Sequence, residues 1–296
     1  MYIKNLVSIA IPAYKQRYLE ETINSILSQD YNNIELIIIN DCSPENLDEV
    51  VLKFDDTRIR YYKNNTNLGK KSIVYNWNKC LSYAKGEFFV LFCDDDIMYP
   101  NFISTLIKLT HKYPNCNVFK SRTITTYPNK NKYSPEVPEL ESFTDFLQYK
   151  LLGQRKHTIS EFLYRTEYIS KIKYTIYPIG FYSDDASILN FIKLGGIVST
   201  NECLVEFRYS DINISFNNKL NFYKTKAAIQ YYRDLSYNCS IKCYLKRINE
   251  IRDWELYDYF INSQSLYTAL KILWIVPHKI WNLKIKIILL LKKLTS

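Results

Sequence analysis

The chain has 296 residues, 47% of them hydrophobic, which suffices for a sizeable core in one large or two modest domains. Its formal net charge of +9 points to anionic partners: nucleic acid, an acidic membrane surface or phosphorylated substrates. No apolar run reaches the roughly 18 residues of a membrane-spanning helix, and the seven scattered cysteines form no pair of CxxC motifs for zinc, so they read as reduced thiols.

The N-terminus runs straight into a strand, Leu6 to Ile11, so no signal peptide is expected and a cytoplasmic location is. Pro12 breaks that strand. Leu19, Ile23, Ile26 and Leu27 then recur at helical spacing. Ile34 to Ile39 is the next strand, closing at Asn40-Asp41, with Ser43-Pro44 suited to the N-cap and first residue of a helix. Ile59 to Tyr62 gives a third strand. Ile73, Trp77, Leu81 and Ala84 mark a helix, and Phe88 to Phe92 is apolar enough for a strand buried on both faces. Phe102 to Leu109 is helical. Apolar strands alternating with helices predict an α/β fold with a parallel sheet covered on both faces.

The fourth strand ends in three consecutive carboxylates, Asp94, Asp95 and Asp96. Like charges so close repel, so the fold must bring something positive to them. Three hard oxygen donors suit magnesium or manganese better than a Lys or Arg partner. A solvated acidic turn capping the next helix is the alternative. Pro12-Ala13-Tyr14, Asp41 and Asp94–Asp96 each lie just past a strand end, where open α/β sheets bind ligands, and this convergence favours a ligand site. No glycine cradle for phosphates is present, so a diphosphate must be neutralised by a metal on the acidic cluster. Asp41 suits a hydrogen bond from a base or sugar hydroxyl, and Tyr14 suits a ring face; a helix cap and a packed surface tyrosine are the plainer readings.

Val7-Ser-Ile-Ala-Ile-Pro-Ala-Tyr14, Ser25-Ile-Leu-Ser-Gln-Asp-Tyr31, Glu35-Leu-Ile-Ile-Ile-Asn-Asp41, Asn67-Leu-Gly69 and Ala84–Asp96 together resemble family 2 glycosyltransferases. The resemblance is close over the first hundred residues and continues to about Ser215. It implies a GT-A fold and inverting transfer from a nucleotide-sugar, with a divalent metal, Mn2+ or Mg2+. It implies a glycosyltransferase domain over 1–215, with a nucleotide-sugar and metal half (1–114) and an acceptor half (115–215). By position, Asp41 matches the carboxylate that binds the base, commonly uracil, and Pro12, Ala13 and Tyr14 match the adjoining wall. Asp94 matches the ribose contact, and Asp95 and Asp96 the metal-binding members of the acidic motif. Two positions depart from the pattern: Cys93 replaces the first Asp of Asp-x-Asp-Asp, and Asn40 stands where an acidic residue is frequent.

Further along, Asn115 to Ser121 reads as a strand, Thr125 to Glu141 as a proline-broken loop or lid, and His157 to Tyr164 as a strand in which His157 is structural. Phe181 to Ser187 precedes a helix, with Ser183 or Asp184 as its N-cap. The resemblance makes Asp185, second of the acidic pair, the catalytic base. It also matches Arg208, in Phe207–Ser210, and Asn213-Ile-Ser215 to a segment that closes over the diphosphate, with Ser210 where His is common. Residues 216–296 read as a helical extension in which Cys239 and Cys243 are packing residues. In its last helix Lys279, Asn282, Lys286 and Lys293 share a face, with Lys284 and Lys292 off it, as in a helix lying on an anionic membrane. The expectation is therefore a cytoplasmic, membrane-peripheral transferase moving sugar from a UDP-sugar to a glycan or lipid-linked glycan of a bacterial surface polysaccharide. A metal-dependent nucleotidyltransferase lacks its glycine- and Arg-rich N-terminal loop here. A nucleic-acid-binding protein would need its basic residues gathered on one face, whereas these are spread along the chain, so no nucleic-acid partner is expected.

Overall fold

A computed structural model describes residues 1–209, 217–237 and 245–295. Ser210, Asn213–Ser215, Cys239 and Cys243 lie outside the described residues, as does the side chain of Lys284. The chain divides into two compact units, one of residues 1–175 and 184–209, the other of 176–183 and 210–296.

The first unit opens with β1 (Ile3–Ala13), α1 (Leu19–Leu27), β2 (Ile34–Asn40), α2 (Leu47–Val51), β3 (Ile59–Lys63), α3 (Val74–Tyr83), β4 (Gly86–Leu91), β5 (Ile97–Met98) and α4 (Phe102–Lys112). It continues with β6 (Val118–Tyr127), β7 (Lys130–Tyr133), β8 (Leu140–Glu141), α5 (Phe143–Leu151), β9 (Phe162–Arg165), α6 (Thr166–Ile172), α7 (Ser183–Phe191) and β10 (Ile197–Arg208). One sheet runs β3-β2-β1-β4-β9-β6-β10-β5, so strands from both expected halves share it. β1 to β4 pair in parallel, and every residue of β2 is buried, its run of Leu and Ile as a central strand requires and its Glu35 paired with Ser8 and Arg60. The sheet is mixed beyond β4, because β9 runs antiparallel to both β4 and β6. β4 and β1 approach closely at Gly86, where a Cβ would lie 2.4 Å from the Leu6 carbonyl oxygen. Only glycine fits there.

Three local expectations are revised. Ser43-Pro44 does not open a helix: the Ser43 hydroxyl donates to the Tyr14 carbonyl (2.6 Å) and accepts from Glu45 N, forming a turn, and α2 starts later. Residues 125–141 are not all loop, since β6 extends to Tyr127 and β7 folds back on it before Pro135 and Pro138 leave the sheet. Of the strand expected over 157–164, only the end is extended. Residues 159–161 form a single 3₁₀ turn fixed by a capping box between Thr158 and Glu161.

The second unit holds α8 (Asn221–Tyr237), α9 (Leu245–Ile261), α10 (Leu266–Ile275) and α11 (Leu283–Thr295). Its tyrosines pack together: Tyr182 stacks on Tyr231 and donates to Glu255, which also accepts from Tyr232 at 2.7 Å, while Tyr177 donates to Asp234 at 2.9 Å. Each ring thus buries its face and still satisfies its hydroxyl. Two lysines of the expected basic face cap helices instead. Lys286 donates to the Val276 carbonyl at the end of α10 (2.8 Å), and Lys293 to the Ile261 carbonyl at the end of α9 (2.6 Å). No helix among the described residues is long and apolar enough to cross a membrane.

Candidate active site

The register of β1 with its two neighbours builds the first half of the site. Ala13 pairs with Asn40, the Asp41 N–H donates to the Ala13 carbonyl, and the Phe92 N–H donates to the Ala10 carbonyl. Pro12-Ala13-Tyr14 therefore lies between Asp41 on one side and the acidic run on the other. Asp94 joins the two strand ends through Oδ2, which accepts from Tyr14 N (2.7 Å) and Lys15 N (2.8 Å). No described donor reaches its Oδ1.

The three carboxylates are not a solvated turn. Asp94, Asp95 and Asp96 are only 6%, 5% and 0% exposed. Asp95 pairs with the Lys15 ammonium at 2.7 Å. Asp96 accepts from the Ser160 hydroxyl at 2.5 Å and from Arg208 N at 3.3 Å, while its carbonyl takes the Thr22 hydroxyl. Burial raises Asp94 to about 6, with Lys15 opposing and Asp95 adding to the rise. Burial, reinforced by Asp95, raises Asp96 to about 8. Burial also disfavours the Lys15 charge, but Asp95 and Asp94 outweigh it and raise Lys15. Among the described residues three acids thus share one ammonium, and the cluster is short of positive charge.

That deficit is the test of whether a divalent metal fits. Donor atoms of Cys93, Asp95 and Asp96 all lie within 4.8 Å of one another, and a cation, the Lys15 ammonium, already sits on Asp95. Asp95 suits a hard metal, whereas both Asp96 oxygens already accept a hydrogen bond. Cys93 is a half-buried thiol pushed well above its ordinary range, first by desolvation and then by Asp96, so without a metal it is protonated.

Asp41 is buried and accepts three hydrogen bonds, from Asn64 Nδ2 (2.7 Å), Leu68 N (2.9 Å) and Gly69 N (2.8 Å). It shapes the Asn67-Leu-Gly69 turn as firmly as it could hold a base. A carboxylate has about four acceptor positions, so one remains. Gly69 sits tightly here, since a Cβ would lie 3.1 Å from both Asp41 Oδ2 and Asn67 Oδ1. Arg208 ion-pairs with Glu21 and stacks over Tyr18 at 4.3 Å.

The second half of the site sits at the start of α7, whose first turn holds Asp184 and Asp185. Lys150 of α5 ion-pairs with Asp185 Oδ1, and His157 Nε2 lies 3.2 Å from the same oxygen. Burial alone would raise Asp185; Lys150 and His157 reverse the shift and hold it far below the usual carboxylate range. Asp184 moves the other way, raised by burial and then by the Asp185 charge. Sequence reasoning missed Lys15, Lys150 and Ser160, and set His157 aside. No motif flags these residues, because each acts through a partner distant in sequence.

The two halves are joined by residues 157–161. His157 touches Asp185, and Ser160 accepts from Cys93 N (3.0 Å) while donating to Asp96. Three residues span at most about 11 Å, so one short, capped segment spaces the carboxylates.

A model described as "Glycosyl transferase family 2" matches residues 8–172. A Rickettsia typhi protein named an uncharacterized glycosyltransferase is 28% identical over 73% of this chain and 67% of its own. A Campylobacter jejuni GalNAc(5)-diNAcBac-PP-undecaprenol beta-1,3-glucosyltransferase is 31% identical over 50% of this chain and 49% of its own. The chain thus spans about half to two thirds of the length of these relatives. Among solved structures, Staphylococcus aureus TarS 1–349 in complex with UDP-GlcNAc aligns with a TM-score of 0.58 at 13% identity, covering 88% of this chain and 82% of that one. The Pyrobaculum calidifontis mannosyltransferase PcManGT in complex with GDP-Man and Mn2+ has a TM-score of 0.58 at 13% identity, covering 98% and 86%. The architecture is GT-A.

Proposed function

Because the chain belongs to glycosyl transferase family 2, we propose that it moves a sugar, with inversion, from a UDP-sugar to a hydroxyl of a glycan or lipid-linked glycan in bacterial surface-polysaccharide synthesis. The observation that carries this reading is the trio of buried carboxylates at the β1–β4 edge with Lys15 as their one ammonium. Asp95, with Asp96 beside it, would hold Mn2+ or Mg2+, and a bound ion would supply the charge that stabilises the departing diphosphate. Asp94 Oδ1 meets the ribose, Asp41 offers its remaining acceptor position to the base, and Pro12, Ala13 and Tyr14 wall it. Arg208, close to Asp96 through its backbone, has a guanidinium that must leave Glu21 to reach phosphate. Asp185 takes the proton of the acceptor hydroxyl while that oxygen bonds the anomeric carbon and the diphosphate departs with its bonding pair.

The protein's place is the cytoplasmic face of the membrane. From Asn262 onward the chain carries Lys271, Lys279, Lys284, Lys286, Lys292 and Lys293 and no acidic residue. α10 buries Ala269, Ile272 and Leu273 yet exposes Leu266, Tyr267, Leu270 and Trp274, the last at 88%. With Lys286 and Lys293 turned to carbonyls, α10 rather than the basic face of α11 carries the lipid contact proposed for 279–296. Leu270→Ser with Trp274→Ala should abolish co-sedimentation with anionic vesicles, and retained binding refutes this contact.

Donor and metal are tested together by thermal shift with UDP-, GDP-, dTDP- and CMP-sugars, with and without Mn2+. A native-state ligand raises the melting temperature by mass action, so a UDP-sugar with Mn2+ should stand out. A larger shift with another nucleotide, or one indifferent to EDTA, refutes the corresponding half of the reading.

A further inference from the structure

Asp185 is gripped on one side only. The Lys150 ammonium and His157 Nε2 both meet Oδ1, and no described donor reaches Oδ2. Lys150 closes the last turn of α5, a helix whose start is fixed by the Ser142 hydroxyl accepting from Asp145 N. The His157 side chain is 1% exposed, and its ring is walled by Phe162 at 5.5 Å and Phe146 at 6.2 Å. Its Nε2–H does not align as a hydrogen bond to Oδ1, and its Nδ1 has no partner. Among the described residues its one ion pair is with Asp185, and Asp184 lies near enough to feel its charge. A polar ring so enclosed, spending its one contact on a carboxylate, is costly unless that carboxylate must be held still.

We propose that Lys150 and His157 are positioning residues for sugar transfer, fixing Asp185 by Oδ1 so that Oδ2 is the oxygen that takes the acceptor proton. This rests on Asp185 being the base. The division is the one a base needs, with one atom to orient it and another to react. In the step, the acceptor O–H proton passes to Oδ2 as the acceptor oxygen bonds the anomeric carbon and the diphosphate oxygen departs with the pair of the broken C–O bond; Lys150 keeps its own proton, and Asp185 returns its proton to solvent after product leaves. The titratable groups facing Asp185 are Lys150 from α5, His157 from the segment before β9, and Asp184 from its own helix. Only Lys150 carries a permanent positive charge, so it sets how readily Asp185 is protonated.

The test is a set of pH–rate profiles of the full chain with the nucleotide-sugar selected by thermal shift, for wild type, Lys150→Met, Lys150→Arg and His157→Gln. An opposite charge this close lowers a carboxyl by about 1–3 pH units. Lys150→Met should therefore move the acid limb of kcat/KM up by about that much, with KM for the donor unchanged, while Lys150→Arg keeps the limb in place. His157→Gln should lower kcat by up to about 10²-fold, as misplacement of a reacting group does, without weakening UDP binding. An unmoved limb in Lys150→Met, with kcat reduced equally at every pH, overturns the proposal. If Lys150→Met does not fold, wild-type kcat in His157→Gln overturns it. Asp185→Asn separates the two levels: full activity there refutes the base itself, whereas an inactive Asp185→Asn beside an unmoved Lys150→Met limb refutes only the positioning.

Discussion

The carboxylates proposed for the donor side and the one proposed for the acceptor side are treated in opposite ways by one fold. Asp94, Asp95 and Asp96 share the Lys15 ammonium and are held short of positive charge, so burial raises Asp94 and Asp96. Asp185 has Lys150 and His157 on a single oxygen and is lowered despite its burial. Asp185 is less enclosed, with 23% of its side chain exposed, yet desolvation acts against its charge too, and its counter-charges outweigh that. A cluster short of charge calls for an added cation; a carboxylate with its own cation remains an anionic base without one. The difference teaches that one unit can bury one carboxylate cluster short of counter-charge and another carboxylate supplied with it.

The largest effect should come from Asp185→Asn, which is nearly isosteric. Its kcat is expected to fall about 10²–10⁴-fold, with UDP and Mn2+ binding unchanged by calorimetry; Asp184→Asn should fall much less. If Asp184→Asn were the inactive one, the base would be its neighbour and the contrast would break at the acceptor side.

Next in size, Asp95→Asn should abolish the Mn2+-dependent part of the stabilisation by UDP. At 100 times the dissociation constant that stabilisation is about 2.7 kcal/mol. EDTA should do the same to wild type. Activity of Asp95→Asn that persists undiminished in EDTA would show that the donor cluster needs no metal.

Lys15→Met sharpens the donor side. Leaving Asp95 without its partner should cost about 1–3 kcal/mol in the metal-free protein, read by urea unfolding. Mn2+ should restore most of that loss. Equal loss with and without Mn2+ would mean that Lys15 is not standing where positive charge is wanted.

The smallest effect is a pH dependence. The lowered Asp185 contributes stability that is fully present above its unfolded pKa of about 3.9 and is lost only as pH falls through its lower folded value. The melting-temperature difference between wild type and Asp185→Asn should thus be flat through neutral pH and shrink only in strong acid. A difference that changes near neutrality would contradict the counter-charge account.

Much of this was legible in the sequence for a local reason. β1, β2 and β4 are largely apolar strands followed closely by Tyr14, Asp41 and Asp94–Asp96, so strand ends and site residues are the same short words. The acceptor side was half legible. Asp185 is singled out by the family resemblance, but Lys150 lies 35 residues earlier and reaches it from the last turn of α5. His157 sits in a stretch whose alternation looks like strand, and a capping box turned that stretch into a 3₁₀ turn. The tail misled for a different reason: periodicity gives a lysine's face, but not whether a helix end nearby offers it a carbonyl, as Val276 does to Lys286.

The segment 157–161 also bears on how variants of this enzyme are to be classified. It leans on Asp185, the proposed base, at His157 and on the acidic run at Ser160, with Thr158 and Glu161 locking the turn between them. A lesion at Thr158 or Glu161 would touch neither nucleotide nor acceptor, yet it would register as a defect in both. A genetic screen that sorts mutants into donor-binding and turnover classes would find that such alleles belong to each, and the double phenotype would trace to one loosened strut.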